Sequence, residues 1–310
     1  MAGGSRAVAS GHQLLNSDVS LGNELGLSAE LAPRGRMVPR PFLKWAGGKG
    51  GLLLELTARV EAAGEFRQYH EPFVGGGALF FELYRRNSLG DEPALLSDSN
   101  QNLIDAYQGI KKDVQGIIDL LLKHKALHSK DYYYQIRAEA PSDVLWRAAR
   151  IIYLNRTCYN GLYRENRQGQ FNVPFGRYSN PRICDEANLR AVAKALRKTR
   201  IETRPFETVL DRAKPHDLVY FDPPYHPISK TASFTSYEKN GFDENAQRRL
   251  ASVFKELNQR GVKVLLSNSM TPLVQDLYRE FRLEKVWAGR SVNSRPDRRG
   301  KICEALVSNF

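Results

Sequence analysis

Residues 67–98 read RQYHEPFVGGGALFFELYRRNSLGDEPALLSD and carry the clearest signal for the fold. Its apolar spacing and its glycines predict a strand, a tight turn, a helix and a second strand. In chain order these predicted elements are Arg67–Phe73, Gly75–Gly77, Ala78–Arg86 and Ala94–Ser97. Two strands joined through a helix are typical of a parallel sheet, so this stretch predicts an α/β fold.

The same alternation of strands and helices continues toward the C-terminus. Further predicted strands are Asp217–Phe221, Val262–Ser267 and Cys303–Ser308. Further predicted helices are Asn100–Gly109, Glu244–Arg260 and Thr271–Phe281. The whole pattern predicts one mostly parallel, twisted sheet with helices packed against it.

Residues 111–200 interrupt this alternation. Two helical pieces, Val114–His128 and Asp143–Tyr153, precede a span rich in Gly, Asn and Pro from Asn155 to Pro181. Such a span between two parts of a sheet predicts an inserted, mainly helical domain with exposed loops. Residues 37–110 and 201–310 would then form the main domain. Residues 1–36 are rich in Gly, Ser and Ala and lack aromatic residues, so we expect a disordered tail.

Basic residues are concentrated in two segments of the chain. The formal net charge is +12, from 46 Lys and Arg against 34 Asp and Glu. Arg164–Arg200 holds nine basic and three acidic residues, and Lys285–Lys301 holds six basic residues and one acidic residue. This clustering favours a polyanionic partner, but on charge alone a solvated basic face explains it equally well.

Composition also argues against several classes of protein. No apolar run approaches the roughly 18–20 residues that cross a bilayer, and we expect no secretory signal. The three cysteines are Cys158, Cys184 and Cys303. Their odd number and wide spacing favour a reducing cytosol over a disulfide framework, and they lack the spacing of a zinc site.

Two features within residues 67–98 are weak signals for a ligand. The turn in Glu71–Gly77 (EPFVGGG) lets the backbone approach a ligand closely, although a plain tight turn explains it as well. It is neither a dinucleotide fingerprint nor a phosphate loop. Asp98 follows the next strand, where an acid commonly accepts hydrogen bonds from ribose hydroxyls. The alternative is that Asp98 caps a helix.

The segment Asp222-Pro223-Pro224-Tyr225 carries a stronger signal, because it follows a buried strand directly. Two prolines fix the backbone and remove two N–H donors, which leaves a corner rich in acceptors. The Asp222 carboxylate and the Pro223 carbonyl can each accept one hydrogen of an exocyclic amine. The ring of Tyr225 offers a face on which a planar base can stack.

With these motifs in view, the chain resembles the Dam-type (D12 class, α-group) family of N6-adenine DNA methyltransferases. The resemblance rests on DPPY, EPFVGGG and the FLKWAGG of Phe42–Gly48 with Lys49, and it covers roughly residues 37–310. Three more segments resemble family loops: Leu154–Tyr178, Ser233–Phe242 and Arg290–Lys301. The NVPFG within the first of them is typical of Dam-like members.

The resemblance implies a Rossmann-like methyltransferase domain that binds S-adenosylmethionine, with Asp98 on its ribose hydroxyls. The implied cofactor-binding residues are Trp45, Lys49, Glu71, Pro72, Phe73, Gly75, Gly77, Asp98, Phe221 and Asp222. The implied catalytic residues are Asp222, Pro223, Pro224 and Tyr225, and no metal is expected.

The resemblance also implies double-stranded DNA as the partner, with adenine methylated within GATC. The implied DNA-binding residues are Lys44, Tyr159, Asn160, Leu162, Arg164, Pro174, Arg177 and Tyr178. Tyr159 and Asn160 would enter or fill the DNA double helix near the flipped base. Leu162, Arg164, Pro174 and Tyr178 would read the edges of GATC, and Lys44 would contact the outer guanine.

We expect a monomer without an obligatory protein partner, in the cytoplasm of a bacterial or phage-infected cell. The chain departs from the family pattern in its long N-terminal extension and in Tyr163, where the family has a smaller residue. We expect Tyr163 to adjust packing beside the recognition segment without changing which bases are read.

Other interpretations remain open at this point. A cytosine-C5 methyltransferase would need a nucleophilic cysteine after a proline, and none of the three cysteines follows one. The same corner could accept cytosine N4 or an RNA base, although DPPY is not the Ser-Pro-Pro corner usual for N4. A non-catalytic DNA-binding protein would be expected to have lost Asp222 or Tyr225. His226 is interpreted as a loop residue rather than a general base.

Overall fold

Seven strands form a single sheet in the computed structural model, which describes residues 37–45, 47–166, 168–228, 242–289 and 301–310. The expectations for residues 1–36 and for most of Ser233–Phe242 and Arg290–Lys301 lie outside the described residues. The strands are β1 (Tyr69–Glu71), β2 (Ala94–Asp98), β3 (Thr199–Thr203), β4 (Leu218–Phe221), β5 (Lys263–Ser269), β6 (Arg282–Gly289) and β7 (Lys301–Ser308).

The strand order of the sheet is β3-β2-β1-β4-β5-β7-β6. The first five strands in this order pair in parallel, and β7 pairs antiparallel with both β5 and β6. The order reverses between β1 and β4, where Tyr69 pairs with Leu218. In such sheets ligands bind beyond the carboxyl ends of the strands at the reversal. The prediction of a Rossmann-like α/β fold with a mostly parallel sheet is confirmed.

Helices connect these strands and cover the sheet. In the described part of the chain they are α1 (Leu53–Ala62), α2 (Ala78–Arg86), α3 (Gln101–Lys112), α4 (Val114–Ala126), α5 (Lys130–Ala138), α6 (Val144–Thr157), α7 (Glu186–Leu196), α8 (Glu244–Gln259) and α9 (Pro272–Leu277). Short 3-10 helices occur at Lys49–Gly51, Tyr159–Gly161 and Phe206–Asp211. Helices α4, α5 and α6 lie within the predicted insertion, which also contains α7.

Several predicted elements differ from the observed ones at their ends. The first strand is shorter than Arg67–Phe73 and ends at Glu71, because Pro72 has no N–H to continue the ladder. The helix predicted over Thr271–Phe281 ends at Leu277. By contrast, α2 has the predicted bounds, and α8 ends one residue before the predicted Arg260.

Two apolar clusters hold the elements together. The first packs α1, α2 and α3 on the sheet and continues into the insertion through buried residues such as Tyr133 and Tyr153. The second packs α8 and α9 on β4, β5 and β7, with Phe254 at its centre. Residues 37–310 form one compact unit. Within the described residues, no helix is long and apolar enough to cross a membrane.

Candidate active site

The turn after β1 brings the backbone close to its neighbours. Gly75 and Gly77 have φ angles of +47° and +66°, in the left-handed region that favours glycine. A Cβ atom on Gly77 would lie 2.7 Å from the Tyr107 hydroxyl, and one on Gly75 would lie 2.9 Å from Cδ1 of Trp45. The turn therefore depends on its glycines, and it places Trp45 against its backbone.

Asp98 lies at the end of β2, the neighbouring strand. Its carboxylate accepts the Gly75 N–H at 3.2 Å and the Asn100 N–H at 3.0 Å. Burial raises the pKa of Asp98 to about 6, although backbone hydrogen bonds from Asn100, Gly75 and Ser99 oppose the shift. Asn100, and not Asp98, caps α3 by accepting the Leu103 N–H at 2.9 Å. Asp98 is thus a buried acceptor beside the glycine turn.

Glu71 ends β1 and is 2% exposed. Burial raises its pKa to about 8, so the carboxyl group holds its proton at neutral pH. The Tyr69 hydroxyl donates to Glu71 Oε2 at 3.0 Å. Glu71, Gly75 and Asp98 therefore lie at one edge of the sheet, beside the point where the strand order reverses.

Asp222 lies at the same edge, directly after β4. Its Oδ1 atom is 2.7 Å from Lys49 Nζ and accepts the Ser267 hydroxyl at 3.0 Å. Burial raises the pKa of Asp222, and both Lys49 and Ser267 oppose that rise. In the described part of the chain, no donor contacts Asp222 Oδ2.

The backbone after Asp222 is held by side chains from α8 and β5. Gln247 Nε2 donates to the Pro224 carbonyl at 3.0 Å. Asn268 donates to Gln247 Oε1 and accepts the backbone N–H of His226, each at 3.0 Å. Among the described residues, none donates to the Pro223 carbonyl. The corner therefore offers two acceptors, Asp222 Oδ2 and the Pro223 oxygen.

Tyr225 completes this corner. Its hydroxyl donates to Glu304 Oε2 of β7 at 2.7 Å, which fixes the orientation of the ring. Lys49 Nζ lies 4.7 Å from the centre of the same ring. Burial raises the pKa of Glu304, and the Tyr225 bond opposes that rise. The ring is half-buried, which leaves part of it open to a ligand.

His226 follows Tyr225 and is bound to the loop around it. Its Nδ1 lies 2.9 Å from the hydroxyl of Thr271, the residue that caps α9. Burial lowers the pKa of His226. These contacts support the interpretation of His226 as a loop residue.

Two predicted cofactor residues face the apolar core. The Phe221 side chain is fully buried in the second cluster, so only its main chain reaches the edge of the sheet. Phe73 stacks on Phe206, with ring centres 5.3 Å apart and planes at 25°. Pro72, which lies between Glu71 and Phe73 in the sequence, is also buried. The site is therefore backed by aromatic rings from several segments.

The predicted DNA-binding residues gather on a second surface. Lys44 Nζ lies 4.1 Å from the centre of the Tyr178 ring. Asn155, which is fully buried, accepts the Lys44 N–H at 2.7 Å and donates to the Lys44 carbonyl at 2.8 Å and the Gly161 carbonyl at 3.2 Å. Asn155 therefore joins Lys44 to the turn that begins at Tyr159.

That turn exposes several of the predicted side chains. Tyr159 and Leu162 are 48% and 44% exposed, and Asn160 has a φ of +54°. The Tyr159 N–H donates to the Pro174 carbonyl at 2.9 Å. Arg164 Nε donates to Asn172 Oδ1 at 2.6 Å. The structure thus brings residues 159–164 beside residues 172–178, and Arg177 is exposed in the second of these segments.

A family model matches residues 45–292, and it describes D12 class N6 adenine-specific DNA methyltransferases. This match covers most of the chain, including the corner and the glycine turn. The chain belongs to the D12 class N6 adenine-specific DNA methyltransferase family.

Several curated proteins are similar to this D12-class methyltransferase. The Type II methyltransferase M1.LlaDCHI of Lactococcus lactis subsp. cremoris is 41% identical over 280 residues, which cover 87% of this chain and 95% of that protein. The Type II methyltransferase M.MjaIII of Methanocaldococcus jannaschii is 41% identical over 291 residues, covering 88% of this chain and 100% of that protein. The DNA adenine methylase of Escherichia coli K12 is 37% identical over 278 residues, which cover 86% of this chain and 94% of that protein.

The residues that support the corner of this methyltransferase were not predicted from its sequence. They are Gln247, Ser267, Asn268 and Glu304, and each contacts the Asp222–His226 segment. The signal that was available is a polar side chain within an apolar strand, as for Glu304 in KICEALVS. Among the described residues, no cluster of His, Cys, Asp and Glu is placed to hold a metal ion.

Proposed function

We propose that this DNA adenine methyltransferase transfers a methyl group from S-adenosylmethionine to N6 of an adenine that is flipped out of duplex DNA, within GATC. The observation that carries the proposal is the pair of acceptors at the corner. Asp222 Oδ2 and the Pro223 oxygen are both left without a donor among the described residues, beside the Tyr225 ring. An exocyclic amine has two hydrogens and therefore matches two acceptors.

The corner also supplies the chemistry that N6 requires. The N6 lone pair of adenine is delocalised into the ring, so the amine is a weak nucleophile. Two acceptors that bind its hydrogens shift electron density toward the nitrogen, and the fixed backbone of Pro223 and Pro224 holds them in place. Stacking on Tyr225 keeps the base in the plane that this geometry needs.

The residues at the glycine turn fit S-adenosylmethionine. Asp98 is an acceptor with capacity for ribose hydroxyls, because a carboxylate offers about four lone-pair sites and the nearby backbone N–H groups, which include those of Gly75 and Asn100, do not fill all of them. Trp45 packs against the turn at Gly75, and Glu71 ends the strand that precedes the turn, so both are proposed to line the cofactor site. When bound, S-adenosylmethionine supplies an electrophilic methyl group on a sulfonium.

In the proposed reaction the N6–methyl bond forms as the sulfur–methyl bond breaks. The sulfur keeps the electron pair, and N6 afterwards loses one proton to water. No covalent bond to the protein is required, and none of the free thiols lies in the corner. Positioning and electrostatics supply the catalysis in this proposal.

The DNA surface supports the proposed substrate. Flipping an adenine costs a few kcal/mol, which protein contacts must offset. Tyr159 and Asn160 are exposed at the turn and would occupy the space that the base leaves. Leu162, Arg164, Pro174, Tyr178 and Lys44 would read GATC, and Arg177 would contact the duplex beside them. Residues 111–200 are then the recognition domain, and residues 37–110 and 201–310 the catalytic domain.

The proposal is tested with labelled S-adenosylmethionine and three unmethylated duplexes that contain GATC, GATT or no GAT. We expect label in the GATC duplex alone, and loss of cleavage by a nuclease that requires unmethylated GATC. Label in all three duplexes would keep the chemistry and overturn the proposed specificity. No label in any duplex would overturn the proposed reaction and would favour a non-catalytic DNA-binding protein or an RNA substrate.

A further inference from the structure

We propose that Tyr163 is a positioning residue that joins the cofactor-binding turn to the segment that reads DNA. The inference rests on the proposed function. Tyr163 belongs to the segment that is proposed to read DNA. It lies between Leu162 and Arg164, which are both exposed, whereas Tyr163 itself is half-buried.

One side of Tyr163 packs against the cofactor-binding region. Its ring centre lies 4.8 Å from that of Trp45, with an angle of 36° between the planes. Trp45 in turn packs on the backbone of Gly75, where an added Cβ would come within 2.9 Å of it. A shift of the Trp45 ring on cofactor binding would therefore meet the Tyr163 ring directly.

The hydroxyl of Tyr163 reaches the beginning of α3. It donates to the Glu165 carboxylate, accepts a hydrogen bond from Asn102 Nδ2 at 3.1 Å and lies 3.3 Å from Asn100 Oδ1. Asn102 Nδ2 also donates to Glu165 Oε1 at 2.9 Å. Because the Asn100 N–H donates to Asp98, this network reaches the proposed ribose contact through Asn100.

The other side of the link is the recognition segment. Arg164 is held to Asn172 by two hydrogen bonds, and the ring of Phe171 lies 5.7 Å from that of Tyr163. Packed side chains of this kind move together, because the interior has little free volume. The main chain at Leu162 and Arg164 therefore cannot move without moving Tyr163.

The fold does not depend on this link alone. Asn155 joins Lys44 to Gly161 through three separate hydrogen bonds. We therefore expect Tyr163→Phe to fold, since it keeps the ring on Trp45 and removes only the hydroxyl. Asn102→Ala removes the donor from α3 without changing Tyr163, and it serves as a second variant.

The experiment measures the dissociation constant of sinefungin, a stable analogue of the cofactor, with and without a GATC duplex. In the wild type we expect the duplex to lower the dissociation constant of sinefungin by about five-fold or more, as is typical of coupled sites. Tyr163→Phe and Asn102→Ala should each lower that ratio by roughly three- to five-fold, which lies within the net range for the loss of a hydrogen-bonding group. The dissociation constant of each variant for sinefungin without DNA should stay within about two-fold of the wild-type value, which a general loss of structure would not allow.

Tyr132→Phe is the matched control. Its hydroxyl is also half-buried and hydrogen-bonded, to His124 Nδ1 at 2.8 Å, but it lies in the insertion away from Trp45. The control should keep the wild-type ratio. An unchanged ratio in both Tyr163→Phe and Asn102→Ala, or no coupling in the wild type, would overturn the inference. If Tyr163→Phe does not fold, Asn102→Ala decides.

The two proposals fail in different ways. A wild type that methylates adenine but has unchanged coupling in both variants keeps the proposed function and loses the role of Tyr163. A wild type that labels no adenine in any duplex overturns the proposed function, whatever the coupling ratio is.

Discussion

Lys49 Nζ lies 2.7 Å from Asp222 Oδ1 and joins the first part of the chain to the corner after β4. The Lys49 side chain is 7% exposed, and it also donates to the Gly47 carbonyl at 2.6 Å. Because the ammonium binds only one oxygen of Asp222, the other oxygen stays available to a substrate amine. The ion pair also favours the charged form of a carboxylate whose pKa burial raises.

We expect Lys49→Met to lower the rate of methyl transfer by at least about 100-fold at neutral pH, comparable to the loss of one preorganised charge contact in other enzymes. Without Lys49 the pKa of Asp222 rises further, and a protonated carboxyl accepts hydrogen bonds poorly. Single-turnover transfer measured from pH 6 to pH 9 should recover partly as the pH increases. The control is Lys255→Met, which removes a surface lysine paired with Glu280. A wild-type rate for Lys49→Met at pH 7 would contradict this role.

We expect Asp222→Ala to abolish methyl transfer and to leave much of the affinity for DNA. The carboxylate contacts only Lys49 and Ser267 among the described residues, and neither of these is among the residues proposed to bind DNA. Transfer is measured with labelled cofactor, and duplex binding is measured by fluorescence anisotropy. Full activity of the variant would exclude the proposed amine site.

Asp98 should make cofactor binding dependent on pH. Its pKa is raised to about 6, so the carboxylate that would accept ribose hydroxyls is lost as the pH falls through 6. The affinity for sinefungin should therefore weaken up to about ten-fold per pH unit below this value. Asp98→Asn should bind more weakly and show no such dependence. The control, Asp91→Asn, changes an exposed carboxylate. A wild-type affinity that is flat from pH 5 to pH 7 would argue against Asp98 as the acceptor.

Glu71 should make stability fall as the pH rises. The folded protein keeps the proton on Glu71 up to a pKa of about 8, whereas the unfolded chain releases it near 4.5. Between these values the folded state binds more protons, so the free energy of unfolding falls by up to about 1.4 kcal/mol per pH unit. This stability is fully present below the unfolded pKa and is lost as the pH approaches 8.

The test of Glu71 is urea unfolding at pH 5, 6.5 and 8. Glu71→Gln should flatten the dependence, because the amide does not titrate, whereas the exposed control Glu280→Gln should not. Parallel curves for Glu71→Gln and the wild type would show that Glu71 is ionised in the folded protein.

Contiguous parts of the fold and the site were predictable from the sequence. The glycine turn after β1 and the Asp222–Tyr225 corner each lie within one short segment, so their local chemistry is visible in the residues themselves. The two edge strands, β3 and β6, were not predicted. An edge strand tolerates charged residues such as Arg200 and Glu202 in β3, so the apolar pattern of a buried strand is missing.

The supports of the corner could not be predicted for a different reason. Glu304 reaches Tyr225 only because β7 inserts antiparallel beside β5, and the sequence does not specify that pairing. The capping of α3 was also ambiguous. Asp98 and Asn100 are both good caps, and only the structure shows that Asn100 makes the bond and leaves Asp98 beside the glycine turn.

Arg164 should determine discrimination at one base pair. Its guanidinium is oriented by two hydrogen bonds to Asn172. Arg164 Nε donates to Asn172 Oδ1 at 2.6 Å, and a terminal nitrogen of Arg164 donates to the backbone carbonyl of Asn172 at 3.2 Å. An oriented arginine favours guanine O6 and N7, and Arg164→Ala should lose about 1–3 kcal/mol of discrimination at that pair. The value of kcat/KM is measured on GATC and on duplexes with each single substitution. Arg190→Ala, which changes an exposed residue of α7, is the control. If Arg164→Ala weakens all duplexes equally and also lowers the salt dependence of binding, Arg164 contacts a phosphate instead.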